Sequence, residues 1–223
     1  NIDEETVQSF GKEWTRFDQS TVSKAELSAI FDDYFLIFPW EKISGKAEGF
    51  DMGCGSGRWA QFVASRVGHL NCIDPSDALL VARRNLKDFR NISFHNSSLD
   101  DLDLAEGSQD FGYSLGVLHH VPDTQAAIKA CVDLLKPGAP LLLYLYYRFD
   151  NRPWWFKGIW KISDLLRQII IRLPDKAKHL ATDLIALVIY LPVIRLIGLL
   201  SALGLPVKHI PLNYYQDKSF YTM

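Results

Sequence analysis

Short apolar runs alternate with stretches of helical periodicity in the middle of the chain. This alternation is typical of βαβ units, which build a parallel sheet with helices on both faces. We therefore predict an α/β fold with a doubly wound, Rossmann-like core over residues 47–147. The predicted strands are 47–52, 69–73, 92–95, 111–115 and 140–146, and the predicted helices are 59–67, 77–86 and 124–135.

The two segments that flank this core have a different pattern. Residues 1–46 are rich in aromatic side chains, with Phe10, Trp14 and Phe17 at helical spacing. They predict an N-terminal helical extension that docks on the core, closes over a ligand as a lid, or does both, with Trp14 in the substrate pocket. Residues 148–223 contain long helical stretches with Trp, Pro and apolar clusters, which predict a helical insertion after the fifth strand.

The composition fits a globular protein with one sizeable core, since 48% of the 223 residues are hydrophobic. Cys54, Cys72 and Cys131 form neither a disulfide framework nor a metal-binding spacing, so we expect a reducing, cytoplasmic setting and no metal. The net charge is −2, yet residues 146–180 hold eight Lys/Arg against three Asp. This local excess of positive charge favours an anionic partner.

Glycines cluster directly after the first predicted strand, in the sequence "DMGCGSG". In a doubly wound sheet this turn forms the floor of the ligand crevice, and Gly53, Gly55 and Gly57 would let a ligand approach the backbone. The spacing differs from the dinucleotide fingerprint, which has a third glycine where Arg58 stands. The Asp51 carboxylate would repel a pyrophosphate but pair with an ammonium group. The turn therefore favours an amino-acid-bearing nucleoside over NAD.

A second acidic residue, Asp74, follows the second predicted strand, 23 residues after Asp51. An acid at about this distance typically accepts hydrogen bonds from ribose hydroxyls. The sequence "DPSD" at 74–77 is also a good turn and helix cap. Both interpretations stay open at the level of the sequence.

Four ordered motifs resemble those of class I S-adenosylmethionine-dependent methyltransferases: "DMGCGSG", "IDPS", "DFGYSLGVLHHVPD" and "LLKPGAPLLL". The chain looks most like the small-molecule branch that includes quinone-biosynthesis methyltransferases, and the resemblance covers residues 49–146. It implies S-adenosyl-L-methionine as the cofactor and S-adenosyl-L-homocysteine as the product.

The resemblance also implies a set of cofactor-binding residues. Where the family often has an Asp against the adenine amino group, this chain has Ser98 with Leu99 beside it, so Ser98, Asp100 or backbone groups would supply that contact. The implied contacts are Asp51, Gly53, Gly55 and Gly57 at the methionine part and Asp74 at the ribose, with Cys54, Pro75, Ser98, Leu99, Gly116 and Leu118 completing the site.

Methyl transfer from a sulfonium requires alignment and the exclusion of water, and it needs a base only when the acceptor loses a proton. His119 and His120 are the candidate catalytic residues because they follow the fourth strand at the crevice. Adjacent residues of an extended segment point in opposite directions, so we expect at most one of the two to face the substrate. Tyr146, Tyr147 and Arg148 are predicted either to line the acceptor pocket or simply to pack.

The function predicted from these features is methyl transfer to a small acceptor that is apolar, phosphate-bearing or lipid-linked. The alternative is a non-catalytic module that binds adenosylmethionine or adenosylhomocysteine. The glycine spacing and Asp51 disfavour a nicotinamide-dependent oxidoreductase. The acidic core disfavours nucleic acid as a partner.

Residues 181–203 are almost wholly apolar, but Asp183, Pro192 and Arg195 interrupt them, so we expect no transmembrane span. The segment either caps the acceptor pocket, touches a membrane surface as part of residues 152–203, or packs against a second copy to form a homodimer. The expected location is cytoplasmic, with or without membrane association. The resembling family ends its sheet with two further strands that are not evident after Leu145, so we also expect the chain to continue beyond Met223.

Overall fold

The computed structural model describes residues 23–99, 101–146, 153–207, 210, 212 and 213. The chain divides into two compact units, residues 1–146 and residues 147–223. Several predicted positions lie outside the described residues: Phe10, Trp14 and Phe17 of the expected lid, Asp100 beside the expected adenine site, and Tyr147 and Arg148 of the expected acceptor pocket.

One sheet of five parallel strands forms the centre of the first unit, in the order β3-β2-β1-β4-β5. This arrangement confirms the predicted doubly wound α/β core. Three strands have the predicted bounds, whereas β1 starts one residue later and β5 is shorter than predicted. The strands are β1 (Glu48–Met52), β2 (His69–Ile73), β3 (Ile92–His95), β4 (Phe111–Leu115) and β5 (Leu141–Tyr144).

Helices of the first unit follow the predicted places but are shorter. They are α1 (Lys24–Tyr34), α2 (Ala60–Ala64), α3 (Ala78–Asn85) and α4 (Thr124–Asp133). The prediction for α2 ran to residue 67, but the amide of Arg66 bonds the Val63 carbonyl, so the last turn tightens before Gly68. At α4 the Asp123 carboxylate accepts a hydrogen bond from the Ala126 amide at 2.9 Å, which fixes the start of the helix at the predicted residue.

Each face of the sheet carries its own hydrophobic core, because side chains alternate along every strand. On one face Phe50 and Met52 of β1 pack with Ala127 and Cys131 of α4. On the other face the strands pack against α1, α2 and α3, with Phe31 of α1 fully buried. The described part of the N-terminal extension therefore shares the core of the sheet.

The second unit consists of helices in its described part. They are α5 (Trp154–Ile170), α6 (Asp175–Ile185), a π-helical turn (Ala186–Tyr190) and α7 (Leu191–Ala202). Residues Lys176–Ala202 run as one helix of 27 residues that is long and apolar enough to cross a membrane by length and composition, and 11% of its most apolar window is buried. Pro192 does not break this helix: it lies just after the π-helical turn, where the regular hydrogen bonds between residues i and i−4 are already interrupted.

Candidate functional site

The site is at the carboxyl ends of β1 and β4, two neighbouring strands at the middle of the sheet. The chain leaves β1 toward β2 on one side, and it returns to the other side as β4. In open α/β sheets this topological switch point is where the crevice for a ligand forms. The Ser114 hydroxyl of β4 donates to the Met52 carbonyl of β1 at 2.8 Å, which ties the two strand ends together.

The glycine turn after β1 has the backbone geometry that its sequence predicts. Gly53, Gly55 and Gly57 have φ angles of 76°, 53° and 78°, which are left-handed values that residues with a Cβ rarely adopt. The amides of Gly53 and Cys54 both donate to the Ile73 carbonyl, at 2.8 and 3.1 Å. The turn is thereby attached to the end of β2.

Neighbouring protein side chains occupy the space beside two of these glycines. A Cβ at Gly53 would lie 2.5 Å from a methyl group of Val117, and one at Gly57 would lie 2.6 Å from Leu86. We expected the missing side chains to make room for a ligand. At Gly53 and Gly57 they make room for the protein itself, so any ligand contact of these residues would come from the exposed side of the backbone. Gly116, after β4, differs: its φ is 78°, but a Cβ there would meet open space.

Asp51 is a buried carboxyl at the end of β1, with 2% of its surface exposed. Its Oδ2 atom has no hydrogen-bond partner among the described residues. The pKa of Asp51 is raised to about 8, mainly because the carboxyl is buried; the neighbouring Tyr113 side chain lowers it, and the charge of Asp74 contributes to the rise. Burial, followed by the charge of Asp51, also raises the pKa of Tyr113, its cross-strand neighbour on β4, well above the usual value. A cation placed at Oδ2 would remove the penalty for ionising this group.

Asp74 holds the glycine turn against the end of β2. Its Oδ2 accepts a hydrogen bond from the Gly55 amide at 2.9 Å, and its Oδ1 accepts from the Ser76 amide and hydroxyl at 2.9 and 2.6 Å. The turn interpretation of this sequence is therefore present in the structure. Because a carboxylate has about four acceptor positions, one remains for a ligand hydroxyl.

The other predicted cofactor contacts differ in which of their atoms are available to a ligand. Ser98 donates its hydroxyl hydrogen to Asp101 at 3.0 Å, which leaves its oxygen as an acceptor. The side chains of Cys54 and Leu118 are buried in the two cores, so their ligand contacts would come from the backbone. Leu99 packs at the edge of the core that contains Leu118, and Pro75 is half-buried in the turn at Asp74.

The two histidines do not have the predicted arrangement. Residues Leu118–His120 form a single 3-10 turn, closed by the His120 amide bonding the Val117 carbonyl at 2.9 Å. The expectation of opposite directions in an extended segment was wrong, because successive residues of such a turn are about 120° apart. The two rings have centroids 4.1 Å apart, and the ring of Tyr146 is 4.1 Å from that of His119.

His119 has the features of a proton acceptor. Both of its ring nitrogens are buried and have no hydrogen-bond partner among the described residues, although the residue as a whole is half-buried. Burial lowers the pKa of His119, so the neutral ring predominates at neutral pH. His120 is exposed.

A row of rings along the carboxyl edge includes residues that the sequence reasoning missed. We call it the aromatic row: Trp59, Tyr34, Tyr144, Tyr146 and His119, with successive centroids 5.1, 4.9, 6.1 and 4.1 Å apart. Tyr144 and Tyr146 alternate in sequence and so share a face, a pattern that could have identified Tyr144. Tyr34 comes from α1, and nothing in the sequence near it points to this edge.

Comparison with known proteins gives a consistent result for the first unit. Residues 50–143 match the family model described as a methyltransferase domain. A ubiquinone biosynthesis O-methyltransferase of Xanthomonas campestris pv. campestris (strain B100) is 34% identical over 96 residues, which is 42% of this chain and 40% of the relative. The enzyme of the same name from Idiomarina loihiensis is 34% identical over 112 residues, 49% of this chain and 45% of the relative.

The chain thus spans less than half the length of these curated relatives. Among solved structures, a Bacillus halodurans C-125 protein assigned provisionally as a methyltransferase superposes with a TM-score of 0.50 at 17% identity, covering 66% of this chain and 60% of that protein. At this identity the likeness concerns the fold.

Proposed function

We propose, from the match of residues 50–143 to a methyltransferase domain, that the protein transfers a methyl group from S-adenosyl-L-methionine to a small-molecule acceptor. The observation that carries the proposal is the buried Asp51 carboxyl at the switch point, whose Oδ2 has no partner among the described residues. An unpaired oxygen of a buried carboxyl is costly, and a ligand cation beside it would offset that cost. The ammonium group of the methionine part supplies such a cation.

The remaining contacts fit the rest of the cofactor. The one free acceptor position of Asp74 suits a single ribose hydroxyl rather than both. The Ser98 oxygen suits the adenine amino group as its acceptor. When bound, the cofactor supplies an electrophilic methyl group. The chain itself then has to hold the acceptor in line with that group and exclude water.

We assign the proton-accepting role to His119 and propose a hydroxyl as the methylated group. A neutral imidazole whose nitrogens have no partner among the described residues can take the proton that a hydroxyl loses on attack. The relatives named above are O-methyltransferases, which agrees with this choice. Tyr146 is 67% exposed beside His119, so its ring offers a flat apolar surface to a small, partly apolar acceptor.

The runner-up is a non-catalytic module that binds adenosylmethionine or adenosylhomocysteine. It uses Asp51 and Asp74 in the same way and assigns no chemistry to His119. We favour the enzyme because cofactor binding alone gives no role to the His119 ring nitrogens, which have no partner among the described residues, or to the exposed Tyr146 ring beside them. A cytoplasmic location and a homodimer also stay proposals, and membrane contact is developed in the next subsection.

Calorimetric titration tests the cofactor assignment. We expect adenosylmethionine and adenosylhomocysteine to bind and NADH not to bind. Asp51→Asn should weaken both by about tenfold or more, or 1.4 kcal/mol, while binding of 5′-methylthioadenosine, which lacks the ammonium group, stays unchanged. Asp88→Asn, on an exposed residue of the same unit, is the matched control.

Two outcomes would contradict the proposal. Equal loss of 5′-methylthioadenosine binding in Asp51→Asn would mean that Asp51 maintains the fold of the site instead of recognising an ammonium group. If NADH binds and neither adenosylmethionine nor adenosylhomocysteine does, the glycine turn would be a dinucleotide-binding turn instead.

A further inference from the structure

The second unit exposes apolar side chains in a pattern that the methyltransferase activity does not explain. In α5, the positions Trp155, Ile159, Ile162, Leu166 and Ile169 follow the spacing i, i+4, i+7, i+11, i+14, which places them on one face of the helix. These five side chains are between 44% and 64% exposed, and no residue of α5 is buried. An amphipathic helix with its apolar face exposed requires something to cover that face.

The opposite face of α5 is polar and carries positive charge. Lys157, Lys161, Asp164 and Gln168 follow the same helical spacing half a turn away from the apolar stripe. Both lysines are exposed, whereas Asp164 forms an ion pair with Arg167 at 2.6 Å. From residue 153 to residue 180 the chain has six Lys/Arg and two Asp. The surface around α5 is therefore complementary to negative charge.

The long helix Lys176–Ala202 adds a second exposed apolar surface. Leu180, Leu184, Leu187, Val188 and Leu199 are each about half exposed or more. With 11% of its most apolar window buried, this helix is unlike the core helix of a globular domain.

The positions of charged residues in this helix indicate whether it can cross a membrane or lies at its surface. The uncharged stretch between Asp183 and Arg195, residues 184–194, spans about 16 Å. A transmembrane helix needs about 20 predominantly apolar residues, and stretches of 10–14 are typical of core or interfacial segments. Most of the apolar part of this helix is exposed, so it is not a core helix. A position at the membrane interface is the alternative that remains.

From these observations we propose that residues 153–203 bind the surface of an anionic lipid bilayer without crossing it. Trp155 and the isoleucines and leucines of its stripe enter the boundary between headgroups and acyl chains, while Lys157 and Lys161 contact lipid phosphates. Tryptophan and lysine on one amphipathic helix are the combination that this boundary favours. The proposal concerns the second unit alone and does not depend on methyl transfer.

Vesicle co-sedimentation of the full chain tests the proposal. We expect binding to vesicles that contain phosphatidylglycerol, weaker binding to pure phosphatidylcholine, and a decrease with added salt. Lys157→Glu with Lys161→Glu should lower binding to anionic vesicles at least about tenfold. Lys42→Glu with Lys87→Glu makes the same change of charge on exposed residues of the first unit, and it should leave most of the binding intact.

The apolar contact has its own test. Lipids brominated near the headgroup should quench tryptophan fluorescence, and replacing Trp154, Trp155 and Trp160 by Phe should remove most of that quenching.

Three results would overturn the proposal. The first is equal loss of binding in the two double charge variants. The second is a concentration-dependent dimer that binds neither kind of vesicle, which would identify a second copy as the cover of the apolar face. The third is retention in membranes after alkaline carbonate extraction, which would show a spanning helix.

Discussion

Replacing Asp51 by Asn should change how the stability of the ligand-free protein depends on pH. Asp51 has its pKa raised from 3.8 to about 8 in the folded chain, mainly because it is buried. In the unfolded chain it ionises near pH 4. The folded state therefore holds a proton that the unfolded state has released, and stability falls as pH rises through this window.

The size of the effect follows from the two pKa values. One pKa unit corresponds to about 1.4 kcal/mol, so the contribution of Asp51 to stability is fully present below pH 4 and is lost by about pH 8. Between pH 5 and pH 8 the wild-type chain should lose about 3.5 kcal/mol more than Asp51→Asn, since the amide stays neutral. Urea unfolding across this range measures the difference directly.

Ligand binding should remove this pH dependence. An ammonium group beside Oδ2 favours the ionised carboxyl, so saturating adenosylhomocysteine should flatten the stability curve of the wild type and leave the pH slope of Asp51→Asn unchanged. Asp88→Asn again serves as the control, and its stability should depend on pH in the same way as that of the wild type. A constant stability difference between wild type and Asp51→Asn from pH 5 to pH 8 would refute the argument that Asp51 is protonated in the folded, ligand-free site.

Two further predictions concern the glycines and the proton acceptor. Gly53→Ala and Gly116→Ala both force alanine into a left-handed conformation, at about 1–2 kcal/mol each, but only the first also collides with Val117. Gly53→Ala should therefore destabilise the chain by about 1–3 kcal/mol more than Gly116→Ala in urea unfolding, and equal losses would contradict the role given to Val117. Because burial lowers the pKa of His119, methyl transfer to a hydroxyl acceptor should persist below pH 6.5 and disappear only as the ring gains its proton. In His119→Gln this loss of rate at acid pH should be absent, because the rate is low at every pH, and the affinity for the cofactor should be unchanged. If the rate of His119→Gln still falls at acid pH, a different group is responsible for that fall.

Much of the fold was predictable because its determinants are local in sequence. The apolar runs of β2, β3 and β4 ended at the predicted residues, and the glycine turn and Asp74 fell at the carboxyl ends of their strands. Side-chain alternation along a strand and turn preferences of glycine depend on neighbours within a few positions. The order of the strands, β3-β2-β1-β4-β5, was not predicted: the handedness of βαβ units fixes only which face each connecting helix covers once the order is given.

The chemistry of the site depended on distant neighbours. That Asp51 Oδ2 has no hydrogen-bond partner among the described residues, and that the pKa of Asp51 rises, depends on what β4 and β2 place around it. From the sequence alone, His119 and His120 were expected to point in opposite directions. The 3-10 turn at Leu118–His120 instead brings their two rings together and places His119 against Tyr146. Tyr34 reaches Tyr144 only because α1 packs into the core of the sheet.

The sequence by itself therefore determined the parallel sheet and the glycine turn after its first strand, since hydrophobic periodicity and turn preferences are local properties. Only the tertiary structure decided which polar atoms are left without partners among the described residues, which space beside the glycines is filled, and which apolar face is exposed. These properties are sums over contacts between residues far apart in the chain, so neither composition nor spacing contains them.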